Sequence, residues 1–185
     1  MITLVIGTPD SGKSALAEDL TLRTGAEVRY YLATMKVDDA AAAERVKKHK
    51  KQREGKEFLT IECCCGIPGE MKEMKDLSHA AVLLECVSNL VGNEMHDVPE
   101  RAELCRKGPG SEEQFADEVV HDIKILGERA RDLIIVTNEY EADGTGYDDD
   151  TRLYVRLLGL VNARLAAYAD RIFDLRIAGN GKDGT

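Results

Sequence analysis

The segment Gly7-Thr8-Pro9-Asp10-Ser11-Gly12-Lys13-Ser14 constrains this chain more than any other stretch. It matches G-x-x-x-x-G-K-[ST] at every fixed position. An apolar run, residues 2–6, precedes it, and a helical pattern, Ser14-Ala15-Leu16-Ala17-Glu18-Asp19-Leu20, follows it. Glycines let such a loop curl so that backbone N–H groups point inward at phosphate oxygens. The helix N-terminus adds partial positive charge at the same spot. Lys13 can then reach the β and γ phosphates of a nucleoside triphosphate, and the Ser14 hydroxyl can ligate Mg²⁺. A chance Gly-rich turn would not bring a strand and a helix with it.

The rest of the chain repeats the strand-then-helix alternation. Apolar runs at 2–6, 28–33, 58–62, 82–86, 133–137 and 172–177 are rich in Val, Ile and Leu, which suits strands buried on both faces. Helical patterns fall between them at 13–23, 39–53, 88–95, 112–131 and 149–169, with a short one near 69–75. This predicts an α/β fold of the P-loop NTPase class, a mostly parallel sheet with helices on both faces. No linker or repeat divides the 185 residues, so residues 1–185 are expected to form one nucleotide-binding domain. Residues 97–111, with Pro99, Gly108, Pro109 and Gly110, read as a surface loop, and the tail 179–185 as frayed.

Composition narrows the setting. No apolar run approaches the roughly 20 residues that span a bilayer, and the N-terminus lacks the pattern of a signal peptide. Five scattered Cys, three of them consecutive at 63–65, fit reduced thiols. A cytoplasmic protein is expected. A net charge of −9 argues against a nucleic-acid binder, which would carry a basic face.

Two further features carry chemistry. Ala80-Ala81-Val82-Leu83-Leu84-Glu85 is an apolar run ending in a carboxylate. Ligands gather at the carboxyl ends of parallel strands, so Glu85 is a candidate partner for the metal of a bound triphosphate. The alternative is a solvated acid. Arg45-Val46-Lys47-Lys48-His49-Lys50-Lys51-Gln52-Arg53 is the one concentrated basic patch. On a helix Arg45, His49 and Arg53 share a face. Two flanking guanidinium groups disfavour the imidazolium, which keeps an imidazole neutral and nucleophilic while they attract phosphate. A solvated basic face with an incidental histidine remains open on these grounds.

At this point the chain resembles a known family. The P-loop is followed by Tyr31-Leu32-Ala33-Thr34, by Arg45-Val46-x-x-His49 with Arg53, and by Thr60-Ile61-Glu62-Cys63. Leu83-Leu84-Glu85-Cys86, Val136-Thr137-Asn138-Glu139 and Gly159-Leu160-Val161-Asn162-Ala163-Arg164-Leu165-Ala166 complete the set. In this order they are similar to the CobU family, the bifunctional adenosylcobinamide kinase/adenosylcobinamide-phosphate guanylyltransferases. The resemblance implies a RecA-like sheet, a homotrimer, a corrinoid substrate with ATP or GTP, and a place in cobalamin biosynthesis. It implies two reactions: phosphorylation of adenosylcobinamide, then transfer of GMP from GTP through a guanylylated histidine. By motif position that histidine is His49. Gly7, Thr8, Pro9, Asp10, Ser11, Gly12, Lys13 and Ser14 would hold phosphates. Ala33, Thr34, Met35, Lys50, Lys51, Gln52, Arg53, Glu62 and Glu85 would line the GTP site. The competing expectations are a P-loop small-molecule kinase without guanylyl transfer, and a nucleotide-binding regulatory module without catalysis.

Overall fold

A computed structural model describes residues 1–140 and 145–176, apart from the side chains at positions 41, 42, 45, 48, 49 and 52. Six strands form a single sheet: β1 Ile2–Gly7, β2 Val28–Ala33, β3 Phe58–Glu62, β4 Ala80–Glu85, β5 Asp132–Asn138 and β6 Arg171–Asp174. Their order is β3-β2-β4-β5-β1-β6, and every pairing is parallel. Helices α1 Lys13–Arg23, α2 Ala40–Gln52, α3 Ile67–Glu70, α4 Val87–Asp97, α5 Pro99–Leu104, α6 Ser111–Arg129 and α7 Asp149–Tyr168 supply the crossovers.

The apolar runs explain the layering. β1 and β4 are buried at every residue, as strands sandwiched between helices must be. Successive side chains alternate faces. Val5, Leu83, Ile134 and Val136 therefore pack under α1 with Ala17 and Tyr31, while Leu4, Val82, Leu84, Leu133 and Ile135 pack under α4, α6 and α7. The edge strands are half covered, leaving Leu59 of β3 and Ile172 of β6 exposed.

The order places β5 between the P-loop strand β1 and the Glu85 strand β4. The carboxyl ends of all three open on the same rim, because parallel register pairs Gly7 with Asn138 and Glu85 with Val136. That rim carries the site.

Two sequence expectations need correction. The stretch 97–111 is not a plain loop: Pro99 occupies the first turn of α5, where its fixed φ and missing N–H are harmless, and Glu100 to Leu104 are good helix formers. The strand expected at 82–86 begins at Ala80 and ends at Glu85, leaving Cys86 extended as the residue before α4. Position 177 at the expected end of the last strand and the tail 179–185 lie outside the described residues, as do the side chains of Arg45, His49 and Gln52.

Candidate nucleotide site

The P-loop runs from the end of β1 into α1. A side chain at Gly7 would be crowded: a Cβ there would lie 2.6 Å from Ser11 Oγ and 3.0 Å from Leu175 Cβ. Gly12 precedes the helix at φ 86°, in the left-handed region that glycine enters without strain. Asp10 adopts a similar conformation at φ 59°, which Asp tolerates better than most residues.

Three side chains converge at the start of α1. Lys13 is 7% exposed, and its Nζ donates to the Thr8 carbonyl and, at 3.4 Å, to Ser11 Oγ. Burial lowers the Lys13 pKa, and the nearby Cys86, Glu85 and Asp10 act in the opposite direction. Ser14 Oγ donates to Glu85 Oε1. The other oxygen, Glu85 Oε2, is buried with no hydrogen-bond partner among the described residues. A buried carboxylate oxygen without a partner, beside a hydroxyl at a phosphate loop, fits the hard-oxygen donor set of Mg²⁺.

The rim opens into two adjoining cavities. The larger, 730 Å³, is bounded on the P-loop side by Pro9, Asp10, Gly12, Lys13 and Ser14, and on the other side by Asn89, Asn138 and Tyr140. Lys56 and Glu18 also line it, and they form an ion pair in which Glu18 is buried. The smaller, 70 Å³, is lined by Ala33, Val46, Lys50, Arg53 and Glu62. Met35, Glu85, Cys86 and Asn89 belong to both, so Glu85 stands on the wall the two cavities share.

Most of the residues singled out from sequence thus surround one continuous space. Thr34 lies beneath it. Fully buried, its Oγ1 donates to the Cys86 carbonyl and accepts from the Cys86 N–H, both at 2.7 Å. Lys51 lines neither cavity and faces a surface groove with Val37, Lys47 and Glu54. Position 49 lies on α2, one turn from both Val46 and Arg53.

Sequence reasoning passed over several cavity residues. Asn138 was part of a motif but had no role. Its Nδ2 donates to Ser88 Oγ at 2.7 Å, and its carbonyl accepts from Asn162 Nδ2 at 2.9 Å. Thr137 Oγ1 donates to Asn162 Oδ1 at 2.7 Å. This chain of hydrogen bonds fixes the end of β5 between the P-loop and Glu85. Lys56 was masked by the lysine-rich segment before it, and its pairing with Glu18 spans 38 residues.

Comparison with known proteins agrees with this geometry. The family model described as cobinamide kinase/cobinamide phosphate guanyltransferase matches residues 3–181. The bifunctional adenosylcobalamin biosynthesis protein CobU of Salmonella typhimurium is 31% identical over 190 residues, covering 98% of each chain. Among solved structures, the flagellar accessory protein FlaH of Methanocaldococcus jannaschii superposes with a TM-score of 0.50 at 13% identity, over 94% of this chain and 70% of that one. The RadB recombinase gives a TM-score of 0.44 at 16% identity, over 84% of this chain and 70% of that one. The FlaH likeness concerns the fold alone, which is that of RecA-like P-loop proteins. The family model and the Salmonella relative cover nearly every residue, and the chain belongs to the cobinamide kinase/cobinamide phosphate guanyltransferase family, bifunctional enzymes of cobalamin biosynthesis.

Proposed function

We propose that this chain catalyses both family reactions around the shared wall at Glu85, and that guanylyl transfer runs through a GMP adduct on His49. The observation that carries the reading is the pair of joined cavities. One is lined by the phosphate loop, and the other reaches the helix on which His49 sits.

In the kinase step the hydroxyl oxygen of adenosylcobinamide attacks the γ-phosphorus of ATP or GTP. The bond to the β-bridging oxygen breaks, the nucleoside diphosphate leaves, and the hydroxyl proton is released. Lys13 and the loop N–H groups hold the triphosphate and stabilise the charge that builds on its oxygens. Mg²⁺, held by Ser14 and Glu85, would neutralise charge on the phosphates. Asn138 and Tyr140, across the larger cavity from the loop, are placed to bound the acceptor side.

In the second reaction the His49 imidazole attacks the α-phosphorus of GTP. A P–N bond forms, the α–β P–O bond breaks, and pyrophosphate leaves. An oxygen of the corrinoid phosphate then attacks the same phosphorus, the P–N bond breaks, and adenosylcobinamide-GDP is released with His49 restored. Dividing the transfer in this way avoids assembling two polyanions on one site at once. Ala33, Met35, Lys50, Gln52, Arg53 and Glu62 form the guanine-nucleotide side in this reading, with Thr34 supporting it from beneath and Lys51 outside it. Residues 1–185 act as one domain, and the active species is a homotrimer.

The test is product analysis. Incubation with adenosylcobinamide, ATP and GTP should give both the phosphate and the GDP derivative by liquid chromatography and mass spectrometry. The phosphate alone would reduce the protein to a kinase. Neither product, with GTP bound, would make it a regulatory module.

A further inference from the structure

Tyr31 lines the smaller cavity. It is 5% exposed on β2, and Phe58 of β3 meets it edge-on, with centroids 6.4 Å apart at 78°. Above its ring lies the Arg53 guanidinium, with Cζ 3.4 Å from the centroid. Arg53 is itself 7% exposed, and its Nη1 is buried without a hydrogen-bond partner among the described residues. Both side chains line the smaller cavity together with Glu85. Burial, and then the Glu85 carboxylate, push the Tyr31 pKa far up, so the phenol stays neutral.

This arrangement is costly unless it serves something. A guanidinium is always charged, and burying an unsatisfied donor is unfavourable. The negative face of an aromatic ring offsets part of that cost, most effectively where water is excluded. It does so without occupying any N–H, so the donor stays available to a ligand. Arg53 also closes the end of α2: its N–H donates to the Lys50 carbonyl at 3.1 Å, and its carbonyl accepts from the Lys56 N–H at 3.0 Å. Position 49 lies four residues earlier, within α2.

We infer that Tyr31 is a positioning residue for guanylyl transfer: its ring seats the Arg53 guanidinium, which fixes the C-terminal turn of α2 and keeps Nη1 free to donate to a guanine nucleotide. The inference rests on the guanylyltransferase reading above and adds to it a residue that touches neither phosphate nor metal. The stack is what seats Arg53, and the phenol lies beside Glu85, so phenylalanine should replace tyrosine in nucleotide binding and labelling and leucine should not.

The experiment compares wild type, Tyr31→Phe and Tyr31→Leu in three assays: equilibrium dialysis of GMP, covalent labelling by α-³²P-GTP, and phosphorylation of adenosylcobinamide. GMP is chosen because it lacks the triphosphate that the P-loop grips. Tyr31→Leu should weaken GMP binding and slow labelling by about thirtyfold, the scale of a desolvated cation–π contact. Its kinase rate should stay within about twofold of wild type, and Tyr31→Phe should match wild type in GMP binding and labelling. Equal losses in the Phe and Leu variants would overturn the inference. So would a Leu variant whose kinase and labelling fall in proportion, or one that binds GMP normally. If wild type binds GMP but never labels, the covalent chemistry is refuted, and the dialysis still decides the role of Tyr31. If wild type neither labels nor binds GMP, both fall.

Discussion

Replacing Thr34 with valine should separate a residue that supports the site from one that touches ligand. The hydroxyl of Thr34 is fully buried and makes two 2.7 Å hydrogen bonds to the backbone of Cys86. Valine has nearly the same shape but neither bond. The Cys86 carbonyl keeps a partner, since it accepts the Leu90 N–H at 3.1 Å. The Cys86 N–H loses its only protein acceptor among the described contacts. A part-buried orphaned donor costs about 2 kcal/mol. In a domain of this size that lowers Tm by roughly 4–8 °C. Thr34→Ser keeps both bonds and loses one methyl, worth about 1 kcal/mol, or roughly half the shift. Because Cys86 follows Glu85 directly, the valine variant should also need more Mg²⁺ for half-maximal kinase activity, and the serine variant should not. Differential scanning calorimetry and a Mg²⁺ titration read both effects. A valine variant that melts with wild type, or a serine variant that melts lower than the valine one, would refute the reasoning.

Lys13→Ala should leave the fold intact and lower kinase kcat by at least about a hundredfold, because its charge stabilises the transferring phosphoryl group; an unchanged rate of adenosylcobinamide phosphorylation would remove Lys13 from the mechanism. Burial, followed by the Glu94 and Asp97 carboxylates, pushes the Cys65 thiol from 9.0 up to about 11. The thiolate is therefore scarce below that pH, and alkylation by iodoacetamide at pH 8 should run about a hundredfold slower than for a free peptide cysteine. Its rate should still be climbing at pH 10, which mass spectrometry of the modified peptide will show; a peptide-like rate at pH 8 would contradict the assigned environment.

What could be read in the sequence was local or periodic. Strands β2 and β3 and helix α1 fall on the predicted residues because unbroken apolar runs and a phosphate loop leave few alternatives. Glu85 was legible for the same reason, as a carboxylate at the end of a buried parallel strand. Helix α5 was hidden by the density of Pro and Gly around it, although Pro99 is where a helix can begin. The Arg53–Tyr31 stack and the Lys56–Glu18 pair were illegible: each joins residues 22 or more positions apart through the fold, and neither has a sequence spacing of its own. Thr34 lay in a motif, but only the structure gives its hydroxyl to the Cys86 backbone and not to the cavity.

The most direct test of the account is covalent labelling of His49. Wild-type protein incubated with α-³²P-GTP and Mg²⁺ should carry acid-labile, base-stable label through denaturing electrophoresis, as a phosphoramidate does. His49→Ala should lose the label and the GDP product while keeping most of its kinase activity, because the γ-phosphoryl group passes directly to a hydroxyl. A His49→Ala variant that still carries the adduct would contradict the claim by placing the nucleophile on another residue.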